Sequence, residues 1–317
     1  MMKPIVLVTE RLDDQCAAWL AERADVTRVA HDDADAMSRE LPGAEGMVVR
    51  TYTRVDAELL AQAPKLRVVG RAGVGLDNFD LPACRAAGVA VVYTPDANTQ
   101  AAVEYVFGLM LDHVRPRTDL PAGADAATFH GLRQTEVGRQ LDELTLGVLG
   151  CGRIGSRVAA IAHAIGMNLR VCDLRPEAEL RKAVPVPFDY VDHATLYAQS
   201  DIVTVHVDGR PPNRGLIDAA ALDRMRPGVL LINAARGMLV DHAALLRWLD
   251  DRPAASAVLD VQDPEPPPPD SPLHGRADLR LLPHLASRTG TALRNMSWVV
   301  RDVAAVLAGE KPRFPAG

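Results

Sequence analysis

The sequence predicts an α/β protein with two doubly wound parallel sheets. Short apolar runs of strand length alternate with amphipathic stretches of helical length, which is the pattern of a parallel sheet covered by helices. This alternation occurs twice, in two sets separated by a long helix-like stretch and a polar one. The length of 317 residues also suggests about two domains.

The first set of elements lies in the first hundred residues. Its predicted strands are KPIVLVT, GMVVRT, LRVVGRA and VAVVYT. Its predicted helices are DDQCAAWLAE, VDAELLAQA and DLPACRAAG. The segment TQAAVEYVFGLMLDHV (99–114) then predicts a long helix, and residues 115–140 show neither helical nor strand periodicity, so we expect them to be irregular.

The second set begins after residue 140. Its predicted strands are LTLGVLG, NLRVCD, DIVTVHV, GVLLINAA, SAVLDV and LRLLPHL. The stretch TGTALRNMSWVVRDVAAVLAG predicts a single helix that no strand follows. The proline-rich segment DPEPPPPDSP (263–272) is either a stiff surface loop between two strands or a ligand for a partner's recognition domain.

Composition excludes several classes of function. The net charge is −6 and no Lys/Arg cluster is present, which argues against nucleic acid as a partner. No apolar run has the length of a signal peptide or a membrane span, so we expect a cytoplasmic protein that does not bind membranes. The four cysteines are scattered without metal-ligand spacing, so no metal site is predicted and reduced thiols are expected.

The segment VLGCGRIGSRVAAIAHAIG (148–166) has glycines in G-x-G-x-x-G register between an apolar run and a helix-like stretch. In a dinucleotide site, the first glycine makes the turn, the second admits pyrophosphate and the third permits close packing. The next predicted strand ends in Asp173, which would bind the ribose diol and repel a 2′-phosphate. NAD is therefore favoured over NADP, although Arg175 could reach such a phosphate. The predicted cofactor-binding residues here are Gly150, Gly152, Arg153, Ile154, Gly155 and Asp173.

Six segments in order resemble the D-isomer-specific 2-hydroxyacid dehydrogenase family, with a pattern similar to its phosphoglycerate dehydrogenases and its hydroxypyruvate or glyoxylate reductases. They are VVGRAGVGLDNFDL (68–81), TPDANTQAAVEY (94–105), TLGVLGCGRIG (145–155), LLINAARGMLVDHAAL (230–245), AVLDVQDPEP (257–266) and LLPHLASRTG (281–290). The resemblance implies a Rossmann NAD domain (99–285) inserted into a flavodoxin-like substrate domain (1–98 and 286–317). It also implies a homodimer formed through the NAD domain, with residues 115–140 contributing.

The resemblance implies three catalytic residues. Arg236 ends an apolar run, so on its own it could be a solvated strand terminus. It also matches the arginine of the family motif N-x-A-R-G, whose planar guanidinium holds the substrate carboxylate and carbonyl. His284, alone in an apolar run, would usually be a core residue, but it matches the family's proton carrier. Glu265 would otherwise read as a surface charge, and it matches the carboxylate that pairs with this histidine.

Other matched positions predict binding roles. Asp260 would hold the nicotinamide carboxamide, or it caps a turn at a strand end. Backbone N–H groups of Val74 and Gly75 would grip the substrate carboxylate. Three further positions leave two interpretations open, namely substrate binding or a structural role: Arg50, Arg71 and Asn98.

The implied reaction is reversible hydride transfer between NAD and C2 of a small anionic 2-hydroxy or 2-oxo acid. His284 would carry the proton, and Arg236 would stabilise the developing alkoxide. Two alternatives remain: an NAD(H)-sensing protein of the corepressor type, and a formate or phosphite dehydrogenase. The family's formate enzymes have Gln where Glu265 stands, and the RAGVG loop of this chain lacks the lysine expected of a phosphite enzyme.

Overall fold

The computed structural model describes residues 3–316 and divides into two compact units. Unit 1 comprises the residues up to Thr99 and those from Ser287 onward. Unit 2 comprises Gln100–Ala286. The chain therefore passes between the units twice, at 99–100 and at 286–287.

The strands and helices alternate along most of the chain. The strands are β1 (Ile5–Val8), β2 (Asp25–Arg28), β3 (Gly46–Val49), β4 (Val68–Arg71), β5 (Ala90–Tyr93), β6 (Thr145–Leu149), β7 (Asn168–Cys172), β8 (Asp189–Tyr190), β9 (Ile202–Val205), β10 (Leu230–Asn233), β11 (Ser256–Leu259) and β12 (Leu279–Leu281). The α-helices are α1 (Asp14–Ala21), α2 (Ala34–Glu40), α3 (Ala57–Gln62), α4 (Leu81–Ala86), α5 (Thr99–Val114), α6 (Ala126–Thr135), α7 (Arg153–Ile165), α8 (Glu177–Ala183), α9 (His193–Gln199), α10 (Ala219–Asp223), α11 (His242–Asp250), α12 (Gly290–Ser297) and α13 (Val300–Leu307). Short 3-10 helices are Leu41–Gly43, Leu141–Glu143, Pro211–Asn213 and Gly237–Leu239.

Each unit contains one parallel sheet, as the sequence predicts. Unit 1 has five strands in the order β2-β1-β3-β4-β5, and unit 2 has seven in the order β12-β11-β10-β9-β6-β7-β8. The seven-stranded order reverses between β6 and β9, so the loop after β6 lies at a topological switch point, where such sheets bind ligands. The fold class predicted from the sequence is confirmed.

Buried strands account for the success of the strand predictions. All four residues of β3 are buried, because helices cover both faces of a parallel sheet. On that strand Met47 packs into the core on one face and Val48 into the core on the other, where α13 lies. Strand β2 was not predicted, because it lies at the sheet edge and its sequence DVTR has no fully buried residue.

Two predictions about helices are wrong. The final apolar stretch forms two helices, α12 and α13, rather than one. Ser297 ends the first of them: its hydroxyl donates to the carbonyl oxygen of Leu293 at 2.7 Å and accepts the Asp13 N–H at 2.9 Å, and such back-bonding bends helices. The stretch 115–140 is not wholly irregular, since it contains α6, which is capped by Asp125.

None of the residues of helix α6 is buried, so the helix needs no apolar face and its sequence shows no apolar periodicity. Exposed apolar side chains lie on and around it, namely Leu120, Phe129 and Val137. The homodimer that the resemblance implies stays a prediction.

Within residues 3–316, the helices are all too short or too polar to cross a membrane. The proline-rich segment 263–272 joins β11 to β12 and is mostly exposed.

Gly70 tests the packing of unit 1. A Cβ atom at this position of β4 would lie 2.5 Å from a methyl carbon of Val303 in α13. We expect Gly70→Ala to lower the free energy of unfolding by about 1–3 kcal/mol through overpacking, measured by chemical denaturation. The control is Gly108→Ala in α5, where a Cβ meets no heavy atom within 4 Å, and it should raise stability by about 0.5–1 kcal/mol. Equal losses from both variants would contradict this account of the packing.

Candidate active site

The glycine-rich loop after β6 has the shape that its sequence predicts. Gly150 has φ 84°, and a Cβ there would lie 2.9 Å from the carbonyl oxygen of His206. A Cβ on Gly155 would lie 2.1 Å from the carbonyl oxygen of Gly150, so helix and strand approach closely. At Gly152 a Cβ would meet nothing within 4 Å, which leaves open space beside the backbone. The first and third glycines are thus required by packing, and the second leaves room for a ligand.

Helix α7 begins directly after this loop. Its N-cap is Gly152, which has no side chain to cap the helix. Within the described part of the chain, the backbone N–H groups of Ile154 and Gly155 donate to no other group. The amino end of a 13-residue helix therefore presents unpaired donors and a positive dipole end, an arrangement that binds phosphate groups. These residues fit a dinucleotide pyrophosphate.

Asp173 follows β7 beside the glycine-rich loop, and its side chain is only 12% exposed. Its carboxylate accepts the Cys151 N–H at 2.6 Å and the Arg175 N–H at 2.9 Å. The Arg175 guanidinium also donates to it, at 3.1 and 3.2 Å, and donates to the Cys151 carbonyl oxygen. Burial raises the pKa of Asp173, but these hydrogen bonds outweigh burial and hold that pKa below its usual range. Arg175 thus pairs with the carboxylate.

His284 and Glu265 form an imidazole–carboxylate pair in unit 2. Nδ1 of His284 lies 2.7 Å from Oε1 of Glu265, and both side chains are a little over one-third exposed. Burial raises the pKa of Glu265, but the hydrogen bond and charge of His284, together with the charge of Arg236, hold that pKa below its usual range. Glu265 therefore stays ionised at neutral pH, which favours a proton on the facing nitrogen of the imidazole.

The backbone of His284 is strained and is held by Asp260. His284 has φ 55°, in the left-handed region that side-chain-bearing residues seldom adopt. Its N–H donates to the Asp260 carbonyl oxygen at 2.8 Å. The Asp260 carboxylate, in a residue with 0% exposure, accepts the N–H groups of Leu285 and Ala286 at 2.8 and 2.9 Å and the Tyr105 hydroxyl at 3.0 Å. Asp260 therefore anchors the segment that carries the histidine, and its expected contact with a carboxamide stays a prediction.

The loop after β10 positions Arg236. The buried Asn233 donates from its side-chain amide to the Arg236 carbonyl oxygen at 2.8 Å, which fixes the turn. A Cβ on Gly237 would lie 2.0 Å from the Gln262 carbonyl oxygen, so the two loops touch backbone to backbone. This close approach brings the Arg236 loop against the loop that leads to Glu265.

Unit 1 contains the predicted carboxylate-binding loop. The Arg71 guanidinium donates to the carbonyl oxygens of Ala72 and Gly75 at 2.8 and 2.9 Å, so Arg71 shapes the RAGVG turn. Among residues 3–316, the backbone N–H groups of Val74 and Gly75 donate no hydrogen bond. Asn98 lies in the turn before α5.

Arg50 follows β3 in unit 1 and is partly buried. Its Nη1 donates to the Arg11 carbonyl oxygen at 3.3 Å, whereas its buried Nε has no partner in the described structure. Burial lowers the pKa of Arg50, Glu10 opposes this shift, and the nearby positive charge of Arg288 lowers the pKa further. The Glu10 carboxylate itself accepts backbone N–H groups of residues 50–53. The positive charge of Arg288 thus acts on Arg50, and the Glu10 carboxylate near Arg50 is already engaged by backbone N–H groups.

The geometry separates the predicted site residues into two groups. In unit 2, His284 contacts Glu265, and the charge of Arg236 acts on Glu265. Asp260 holds the backbone that follows His284. Unit 2 also brings the glycine-rich loop to Asp173. The other predicted residues lie in unit 1, at the ends of β3 and β4 and before α5: Arg50, Arg71, Val74, Gly75 and Asn98.

Residues 107–286 match the family model for the NAD binding domain of the D-isomer specific 2-hydroxyacid dehydrogenases. The chain belongs to the D-isomer specific 2-hydroxyacid dehydrogenase family. The family membership that six segments predicted is therefore confirmed. The prediction of an NAD-binding domain of this family is confirmed as well.

Relatives cover nearly the whole chain of this family member. A D-3-phosphoglycerate dehydrogenase of Mycobacterium bovis is 38% identical over 98% of the chain, which spans only 58% of that relative's length. An (S)-sulfolactate dehydrogenase of Chromohalobacter salexigens is 38% identical over 94% of the chain and 96% of its own length. The D-lactate dehydrogenase of Aquifex aeolicus, solved with NAD and lactic acid, is 25% identical with a TM-score of 0.81, over 96% of both chains.

Several contacts of the candidate residues in the two units could not be predicted from the sequence, although Asn233 and Tyr105 lie within the matched segments. Asn233 and Gln262 act through loop contacts that follow only from the packing of neighbouring strands. Tyr105 meets Asp260 across 155 residues of chain. Glu10 and Arg288 look like ordinary surface charges until the fold places each of them near Arg50.

Asp173 tests the cofactor preference of this family member. Asp173→Asn keeps the shape but removes the negative charge, so a 2′-phosphate is no longer repelled and the Arg175 guanidinium becomes available to it. We expect the ratio of the Kd for NADPH to that for NADH to fall by at least about tenfold, measured by fluorescence titration. The control is Asp189→Asn, an exposed carboxylate on β8, which should leave the ratio unchanged. An unchanged ratio in Asp173→Asn would contradict the role of Asp173.

Proposed function

We propose that the chain catalyses reversible NAD-dependent hydride transfer between a nicotinamide and C2 of a small D-2-hydroxy or 2-oxo acid. The observation that carries this proposal is the 2.7 Å contact between His284 and Glu265, with the charge of Arg236 beside it, in the unit that contains the dinucleotide loop. The relatives named as dehydrogenases of 2-hydroxy acids support it.

Residues of unit 2 suit the cofactor. The N–H groups at the start of α7 would hold the pyrophosphate, and Asp173 would receive the adenosine ribose. When bound, NAD supplies the acceptor or donor of hydride at its nicotinamide ring. We propose that residues 99–285 form the NAD domain. The substrate domain would comprise 1–98 and 286–317, where the N–H groups of Val74 and Gly75 contribute to holding the substrate carboxylate and Asn98 assists.

His284 is the proposed proton carrier. Its Nδ1 faces the ionised Glu265, which fixes the proton on that nitrogen and leaves Nε2 to exchange a proton with the substrate oxygen. In the reducing direction Nε2 donates a proton to the carbonyl oxygen, and in the oxidising direction it accepts the hydroxyl proton. The ionised Glu265 stabilises the positively charged imidazole in both directions.

Arg236 is the proposed electrostatic partner of the substrate. Its planar guanidinium can hold the carboxylate and the adjacent carbonyl oxygen together, which orients C2. The same charge stabilises the alkoxide that develops during reduction. Asn233 and Gly237 fix the loop from which the guanidinium extends.

Replacement of His284 tests the proposed reaction. We expect His284→Ala to lower kcat by about 10²–10⁴-fold, because the proton carrier is lost, while the Kd for NADH changes less than about twofold. Absorbance of the nicotinamide band measures turnover, and fluorescence measures binding. The control, His163→Ala, removes an exposed imidazole of α7 and should keep wild-type turnover. Full turnover by His284→Ala would refute the assigned role.

Charges in unit 1 support a proposal about the substrate. Arg50 lies near the positive charge of Arg288 and near one carboxylate, Glu10, which four backbone N–H groups already engage. The relatives named for 3-phosphoglycerate and for sulfolactate act on 2-hydroxy acids that bear a second anionic group. We therefore propose a substrate with a phosphate or sulfonate on C3, rather than hydroxypyruvate or glyoxylate.

A panel of 2-oxo acids tests the second anionic group. We expect kcat/KM with NADH to be at least about tenfold higher for phosphohydroxypyruvate or sulfopyruvate than for hydroxypyruvate and glyoxylate. Arg288→Leu should lower kcat/KM for the doubly anionic acids by about tenfold and leave glyoxylate within about twofold. The control variant is Arg301→Leu, which removes a guanidinium of unit 1 that stacks on Trp298.

The panel also distinguishes the alternatives. Preference for glyoxylate or hydroxypyruvate, with no effect of Arg288→Leu, would show that no second anionic group is recognised. NADH binding without turnover of any acid would refute the dehydrogenase reaction and favour an NAD(H)-sensing protein.

A further inference from the structure

One hydrogen bond links helix α5 to the segment that carries the proposed proton carrier. The Tyr105 hydroxyl lies 3.0 Å from Oδ1 of Asp260. The same oxygen accepts the Leu285 N–H, and Oδ2 accepts the Ala286 N–H. Burial and the neighbouring Asp260 raise the pKa of Tyr105, so its hydroxyl keeps its proton and donates.

Asp260 depends on these donors. The residue is completely buried, and a buried carboxylate is costly unless donors surround it. Three donors reach it from the protein, and Tyr105 supplies the one that comes from outside the 284–286 segment. Without that hydroxyl, both remaining donors would belong to the segment that the carboxylate has to hold.

The segment needs this support because His284 is strained. A non-glycine residue in the left-handed region persists only where its surroundings hold it there. Asp260 supplies that constraint on both sides of the strained residue, through its carbonyl oxygen to the His284 N–H and through its carboxylate to the next two N–H groups. A shift of the backbone would move the imidazole away from Glu265.

We propose that Tyr105 is a positioning residue for the proton carrier: its hydroxyl fixes the Asp260 carboxylate, which holds residues 284–286 so that His284 faces Glu265. The proposal rests on the proposed function for its kinetic consequence. Its structural consequence, the protection of two backbone amides, is independent of any activity.

The alternative to this proposal is that Tyr105 only stabilises the fold. Comparison with Tyr197 distinguishes the two roles. Tyr197 is also a tyrosine of unit 2, 3% exposed, and its hydroxyl is buried without a hydrogen-bond partner. The unit therefore tolerates a buried tyrosine hydroxyl without a partner. The Tyr105 hydroxyl instead meets a completely buried carboxylate, so Tyr197→Phe is the matched control for Tyr105→Phe.

The kinetic experiment compares these two variants with the wild-type chain. We expect Tyr105→Phe to lower kcat by about tenfold, with KM for NADH within about twofold. The acid limb of its kcat profile should move to higher pH, because a displaced His284 lets the pKa of Glu265 rise toward its usual value. Tyr197→Phe should match wild type. Wild-type kcat and an unmoved profile in Tyr105→Phe, even with lowered thermal stability, would overturn the proposal.

Hydrogen exchange provides the second measurement. We expect the Leu285 and Ala286 amides to be protected in the wild-type chain and to exchange at least about tenfold faster in Tyr105→Phe, but not in Tyr197→Phe. Equal exchange in both variants would overturn the proposal. If Tyr105→Phe does not fold, hydrogen exchange in the wild-type chain still tests the proposal. Exchange of the Leu285 and Ala286 amides at the rate of an open loop would overturn the proposal. Absence of wild-type turnover together with the expected exchange would refute the proposed function alone.

Discussion

The buried carboxylate of Asp260 is the interaction on which the site depends. It lies just after β11, has no exposed surface, and binds groups from both ends of unit 2: Tyr105 near its start, and Leu285 and Ala286 at its end. Its own N–H donates to the Asn233 carbonyl oxygen at the end of β10. A buried carboxylate is costly unless hydrogen-bond donors surround it, so these contacts favour one arrangement of the loops around Asp260.

Parallel strands explain why the chemistry of unit 2 gathers at one edge. The carboxyl ends of neighbouring strands meet on the same side of the sheet. Loops that are far apart in sequence therefore lie along the same edge of the sheet: the glycine-rich loop after β6, the Arg236 loop after β10 and the His284 segment after β12. Their mutual positions then depend on backbone contacts, such as the approach of Gly237 to Gln262.

The charged candidate residues of the two units differ in whether protein groups already engage them. Asp173 is engaged by Arg175 and by two backbone N–H groups, and Arg71 is engaged by carbonyl oxygens of its own loop. Arg50 differs, because it donates one hydrogen bond, to the Arg11 carbonyl oxygen, while its buried Nε has no partner in the described structure and the nearby Glu10 carboxylate is engaged by the backbone. This contrast is the basis of our proposal that an anionic substrate group binds near Arg50 and Arg288 rather than at Arg71.

The sequence by itself determined the two parallel sheets, the dinucleotide loop and the family, because buried strands, helix-opening glycines and short motifs are local patterns that a chain displays directly. It did not reveal β2 or α6, since neither buries an apolar face, nor the break at Ser297, whose hydroxyl bonds back to the Leu293 carbonyl oxygen and accepts the Asp13 N–H. Only the tertiary structure decided that Arg175 pairs with Asp173, that Arg288 lies near Arg50, and that Tyr105 meets Asp260. Such pairings join residues through the packing of separate elements, and a polar side chain carries no mark of the partner that folding will bring to it.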